Sequence, residues 1–173
     1  MGLVVRAHKV NLIVGLLSSD INALAGARDS LYRLFGPTDL ESPVTDFTHT
    51  DYYEAEMGPG LKRQFLSFKK LFSLNGLDKA KLKTNNLEKK FSKSGKRTVN
   101  IDPGYLDLAK LVLFSTKDYS HRIYLNKGIF AEITLFYKGK SFTFWPWTYP
   151  DYRTDAYIEL FNGIRDTYKA KLS

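Results

Sequence analysis

The chain has 173 residues, a net charge of +8 and no cysteine; that length fits one domain able to bury a core without staples, and the composition excludes disulfides, thiolate catalysis and thiolate metal or iron–sulfur sites. A hydrophobic fraction of 43% with 14% aromatics excludes a disordered chain. Charge is uneven: residues 1–60 carry 4 Lys/Arg against 8 Asp/Glu, residues 61–97 carry 12 against 2, and residues 98–173 carry 10 against 8. A nucleotide or nucleic-acid partner is therefore expected to meet residues 62–97, unless the lysines serve only as a solubilising coat.

The first apolar run, VNLIVGLL at residues 10–17, follows basic residues as a signal peptide's core does. Asn11 interrupts it and it is too short to span a bilayer, so it reads as a buried strand in a cytoplasmic protein. Ser18, Ser19 and Asp20 supply cap chemistry for a helix in which Ile21, Leu24, Ala27, Leu31 and Leu34 recur at helical spacing, ended by Gly36 and Pro37. Residues 44–53 alternate like a strand and residues 61–68 form another, joined through Gly58, Pro59 and Gly60 as a hairpin with a long loop.

Residues 77–93 form a basic helix with a narrow stripe of Ala80, Asn86, Leu87 and Phe91, and Lys79, Lys81, Lys83, Lys89, Lys90 and Lys93 around it. A short strand then leads to Asp102 and Pro103, which read as a helix cap followed by proline in the first turn. Leu106, Ala109 and Leu113 continue that helix to about Phe114, although LVLF alone reads equally as a buried strand. Three strands follow as a meander with glycine turns at Gly128 and Gly139, and Thr154 and Asp155 start a last helix with Tyr157, Phe161, Ile164 and Tyr168 on one face. The expected fold is α+β: one domain over residues 1–173, a largely antiparallel sheet with ferredoxin-like strand and helix order at the start, then the meander and a C-terminal helix.

Four blocks stand out for chemistry: TDYYEAEMGPGLKRQF at 50–65, VNIDPGY at 99–105, STKDYSHRIYL at 115–125 and WTYPDYRT at 147–154. Together they resemble the uncharacterised prokaryotic domain-of-unknown-function 4416 family over almost the whole chain. The resemblance implies no fold, activity or catalytic residue, and GTP binding only through a label that some members carry. The residues speak against that label. Gly139-Lys140-Ser141 ends like a phosphate loop, but Thr134 stands where the first glycine belongs and both flanks read as hairpin strands. In T-K-D at 116–118 the aspartate comes one residue early for a guanine-reading motif.

Proton transfer near neutral pH points to His121, one of three histidines. Strand alternation would place His121 and Arg122 on opposite faces, so both reach one site only at a strand's end. Asp51 and Asp102 are the orienting carboxylates. His49 and Asp51, alternating on a strand with Tyr53, are compatible with a divalent metal whose further ligand is Asp102 or His121; no particular metal or cofactor is indicated. Lys62, Arg63, Lys117, Arg122 and Arg153 are the anion donors, and Tyr53 with other aromatics offers base stacking. The function expected is binding of a phosphate-bearing ligand, a nucleotide or RNA, with acid–base chemistry at His121. The alternative is a non-enzymatic adaptor whose basic helix docks an acidic partner, the polar blocks serving only to hold the fold.

Overall fold

A computed structural model describes residues 2–4 and 7–173. The first strand, β1 (Val10–Ser18), is buried at every position. Helix α1 (Ile21–Phe35) starts where the Asp20 carboxylate accepts the Asn22 and Ala23 N–H groups at 2.9 and 3.1 Å. Short strands β2 (Thr38–Glu41) and β3 (Thr45–Asp46), a one-turn helix α2 (Glu54–Met57), the long strand β4 (Lys62–Phe72) and helix α3 (Lys79–Phe91) follow. Then come β5 (Asn100–Leu106), β6 (Lys110–Ser115), β7 (Ile123–Asn126), β8 (Ile129–Lys138), β9 (Ser141–Phe144), a 3-10 turn (Pro150–Arg153) and α4 (Asp155–Lys171).

Among the described residues nine strands join one antiparallel sheet ordered β2-β4-β1-β5-β6-β8-β7, with β3 also on β4 and β9 also on β8. Its first four strands have the ferredoxin-like order, the hairpin strand β4 lying between β1 and β2. Both crossover helices cover one face, where Leu24 and Leu31 of α1 and Ala80 and Leu87 of α3 pack on Val10, Leu12, Val14 and Leu16. On the other face Phe161, Ile164 and Tyr168 of α4 pack on Ile13, Phe65, Leu106 and Leu135. β1 is covered on both faces, its even-numbered residues under α1 and α3, which explains why its sequence is apolar at nearly every position.

Two expectations are corrected. Residues 102–114 form no helix: β5 and β6 make a hairpin whose turn is held by Asp107 Oδ1, which accepts the Ala109 and Lys110 N–H groups at 2.7 and 2.8 Å. The residues of LVLF are buried between β5 and β8, the two-sided burial that the strand alternative required. Residues 44–53 form a strand only at Thr45 and Asp46, because beyond Phe47 the chain leaves β4 and winds into α2. His49, Asp51 and Tyr53 therefore sit in a loop and share no strand face. Ile21 and Leu34 of α1 and Asn86 of α3 are exposed, outside the cores.

The three strands and both turns expected of the meander form, with Lys127 and Lys140 joining Gly128 and Gly139 at positive φ, but the outer two strands do not flank the middle one. β7 and β9 lie in tandem on one edge of β8, opposite β6. Between them β8 lacks a neighbouring strand, and the next segment patches the gap: Thr148 Oγ1 donates to Thr134 O at 2.7 Å and Trp147 Nε1 to Ile133 O at 3.4 Å. At the other end of the molecule Lys171 of α4 reaches Asn11, Asp39 and the Phe68 carbonyl, while the Tyr168 hydroxyl donates to Lys9 O at 2.7 Å. Among the described residues no helix is long and apolar enough to cross a membrane.

Gly104 is where β5 and β6 close on each other. A Cβ there would lie 2.2 Å from Val112 O and 2.8 Å from Leu113 Cδ2, and backbone cannot retreat from it. Gly104→Ala is expected to cost about 3 kcal/mol or more in urea unfolding, whereas Gly163→Ala, with open space around it on α4, is expected to gain about 1 kcal/mol from helix propensity.

Candidate functional site

One end of the face under α4 is floored by charge. Gly15 of β1 lies opposite Phe65 of β4 and Asp102 of β5, and Leu17 opposite Arg63 and Asn100. Opposed residues in antiparallel strands share a face, so these side chains converge. Gly15 supplies the room: a Cβ there would meet the Phe65 ring at 3.2 Å and Arg63 Nη1 at 3.3 Å. Arg63 is 4% exposed. Its guanidinium lies 3.3 Å from Asp151 and 4.0 Å from Asp102, over the rings of Phe47 and Phe65 at 4.8 and 5.6 Å. Burial pushes the Asp151 carboxyl up, opposed by the Arg63 charge. Burial also raises the hydroxyls of Tyr53 and Tyr152, with Asp102 adding to the effect and Arg63 opposing it.

The charges continue along the sheet end. Asp102 accepts from Asn100 Nδ2 at 2.6 Å and lies 3.4 Å from Lys81 Nζ. Ile101 turns its peptide away from β1, past the end of β6, where no strand meets it. Instead Lys81 donates to Ile101 O at 2.9 Å and Glu88 Oε1 accepts from Ile101 N at 2.7 Å. Two helical turns apart on α3, these side chains take the place of a strand. Pro103 faces the same open side and has no N–H to leave unpaired. Glu88 lies 3.6 Å from Arg97, which grips Glu56 of α2 through Nε and Nη2 at 2.8 and 2.7 Å.

A second cluster lies on the same face, centred on Glu132 of β8. Arg122 Nε donates to Glu132 Oε2 at 2.7 Å, the two side chains being 4% and 2% exposed. His121 Nε2 lies 3.3 Å from the same oxygen. Arg122 also donates to Ser115 Oγ at 2.9 Å, to Lys117 O at 3.0 Å and to the Tyr149 hydroxyl at 3.3 Å. The His121 ring is stacked between Tyr119 and Trp147 at 5.8 and 5.7 Å, and Trp147 stacks on Trp145 at 5.1 Å. Lys117 bridges to the other loop: its Nζ is 3.0 Å from the Tyr52 hydroxyl and 4.9 Å from that ring. This hydrogen bond raises the Lys117 amine and lowers the Tyr52 hydroxyl. Tyr52, Tyr119, Trp147 and Tyr149 are all exposed.

The four blocks in which these residues lie are thus neighbours in space, and a family described as a domain of unknown function, DUF4416, matches residues 8–168. The chain belongs to the DUF4416 family. No curated protein and no solved structure matches it.

In this DUF4416 chain the residues singled out by sequence divide into three groups. Arg63, Asp102 and Tyr53 share the first cluster; His121, Arg122 and Lys117 share the second. The turn at 119–122 ends just before β7, which lets both His121 and Arg122 reach Glu132, the strand-end arrangement that alternation demanded. Asp51, Lys62 and Arg153 lie apart: Asp51 is exposed, Lys62 pairs with Asp46 on the surface, and Arg153 donates to the Thr148 and Pro146 carbonyls at 2.6 and 2.7 Å. Among the described residues no three His, Cys, Asp or Glu side chains are grouped to hold a metal ion, so His49 and Asp51 lack the third ligand that a metal there required. Sequence reading missed Glu132, Glu88 and Asp151. A lone carboxylate inside the apolar strand IFAEITLFY was the available signal for Glu132, since such a group is retained only when partnered.

Glu132→Gln leaves Arg122 buried without its counter-charge and is expected to cost about 3–5 kcal/mol in urea unfolding, against less than about 0.5 kcal/mol for Asp118→Ala on the exposed loop. Arg97 holds the Glu56 carboxyl below its ordinary value of 4.5. The folded state thus releases that proton more readily than the unfolded chain, and the contribution is full above pH 4.5 and fades as pH falls through the depressed value. Wild type is expected to exceed Glu56→Gln in melting temperature at pH 7, with the gap closing under acid.

Proposed function

We propose that this protein binds a phosphate-bearing ligand, a nucleotide or a segment of single-stranded RNA, on the surface formed by residues 49–57, 115–122 and 145–153, with His121 as its proton-transfer group. The observation that carries the reading is the grouping of four exposed rings, Tyr52, Tyr119, Trp147 and Tyr149, around Lys117 and the His121–Glu132 pair. Exposed rings beside a cation offer stacking for bases and charge for phosphate, the combination used for unpaired nucleic acid. Glu132 fixes the His121 ring through Nε2, leaving Nδ1 to take or give a proton. Of the anion donors expected from sequence, Lys117 and Arg122 both touch the exposed rings, but the Arg122 side chain is buried on Glu132, so Lys117 is the solvent-facing one, while Arg63, Arg122 and Arg153 mainly hold the scaffold. A cytoplasmic setting belongs to the same proposal, supported by the lack of cysteine.

The adaptor reading rests on α3, where Lys79, Lys83, Lys89 and Lys90 face solvent. Lys81 is lost to it, being buried against Asp102 and Ile101. The two readings separate in one titration. Both tryptophans stand in the ring stack, so octauridylate or a nucleoside triphosphate bound there is expected to quench intrinsic emission, more weakly as salt rises. Trp147 reports the binding, and Lys117→Ala or Tyr119→Ala is expected to weaken it about tenfold at unchanged melting temperature. Loss of binding on reversing Lys83, Lys89 and Lys90, with Lys117→Ala silent, favours the adaptor. Absence of quenching at low salt and millimolar ligand eliminates the proposed site.

A further inference from the structure

Among the described residues β7 is the last strand of the sheet path: one edge pairs with β8 and the other carries no strand. An unpaired edge presents backbone donors and acceptors to any extended chain, and proteins usually blunt such edges with lysine or proline. The sequence of β7 is Ile-Tyr-Leu-Asn, with neither. A register shift between Tyr124 and Asn126 is its one irregularity. Ile123, Tyr124 and Leu125 are 72%, 58% and 43% exposed, an apolar run open to solvent among the described residues.

Beside this edge, on the face that carries α1 and α3, lies a groove of about 330 Å³. Leu74, Leu77, Tyr105 and Phe114 form its walls, Tyr124 its lip, and Asp78 is the one acidic side chain among the described residues that line it. Among the described residues the Asp78 carboxylate makes no ion pair, and its Oδ2 is shut from water with no hydrogen-bond partner. It does not cap α3, although it occupies the cap position. By contrast Glu56, Glu88, Asp102, Glu132 and Asp151 of the two charged clusters each have a cation at hand. A carboxylate without an ion pair, in a groove of mixed polar and apolar lining beside an open strand edge, is complementary to one kind of occupant.

We infer that β7 and this groove take an extended peptide segment of a partner protein, which adds a strand to β7, buries an apolar side chain against Leu77 and Phe114, and brings an arginine or lysine to Asp78. Main-chain bonds to the edge give affinity, and alternate side chains give specificity. A second copy of this chain fits less well. With Tyr124 opposite Leu125, self-pairing sets Arg122 of each copy across from Lys127 of the other, and both copies carry a net charge of +8. The inference does not rest on the ligand reading, since the groove lies on the opposite face of the sheet, although β7 follows directly on the turn that carries His121.

Two fluorescein-labelled pentapeptides test it, Thr-Val-Thr-Arg-Thr and Thr-Val-Thr-Glu-Thr, in which positions two and four share one strand face, followed by fluorescence polarisation and by amide hydrogen exchange at residues 123–126. The arginine peptide is expected to bind about tenfold more tightly than the glutamate peptide, as for a complementary charge pair, and to slow exchange in β7. Asp78→Asn is expected to bring the two affinities together, and Ile123→Lys with Leu125→Lys, both at exposed positions, to abolish both. Equal affinity of the two peptides for wild type, or no binding at millimolar concentration, overturns the inference. Protection of the β7 amides without peptide, in a chain that sediments as a dimer, overturns it in favour of a second copy.

Discussion

Asp102 stands between two buried cations that come from opposite sides of the sheet. Arg63 rises from β4 on the α4 face, Lys81 enters from α3, and neither is tolerable in a core without a counter-charge. Much of the architecture at this end follows from neutralising them. Asp151 ties the segment between β9 and α4 to Arg63; Glu88 and Lys81 fix α3 to the bare peptide of Ile101; Arg97 and Glu56 fasten α2 to the same network. Gly15 is the concession that the central strand makes so that the guanidinium has somewhere to lie.

The same network explains which parts of the fold were readable in the sequence. Period and punctuation sufficed wherever apolar burial decides the outcome: β1, α1, α3, the meander and α4 follow from spacing, from Asp20 as a cap and from glycine turns. They failed at Asp102 and Pro103, a pair that looks like the start of a helix. There the aspartate is held by Lys81 and Asn100, and the proline lies where β5 faces no strand, facts that depend on α3 twenty residues earlier. They failed again at residues 47–53, where a sequence of β-branched and aromatic residues is overruled by the lack of a strand to pair with.

The site was legible by halves. STKDYSHRIYL announces polar chemistry, and the alternation rule correctly required its histidine and arginine to meet at a strand end. What the block cannot reveal is the group they meet, because Glu132 belongs to the next strand and is brought back by the hairpin register. Arginines are the hardest to read: a guanidinium written beside aromatic residues looks the same in sequence whether it waits for a phosphate or anchors a loop, and Arg63, Arg122 and Arg153 each bond to other parts of the fold.

The central strand pairs with no neighbour in sequence. β1 waits for β4, which begins at Lys62, and for β5, which begins at Asn100, while its first residues are held by Lys171 and Tyr168 at the far end of the chain. Such long loops must close before their contacts repay the entropy of closure. On a ribosome the sheet's middle therefore stays open until more than half of the polypeptide has emerged, and the opening apolar run is the segment a chaperone is best placed to shield in the meantime.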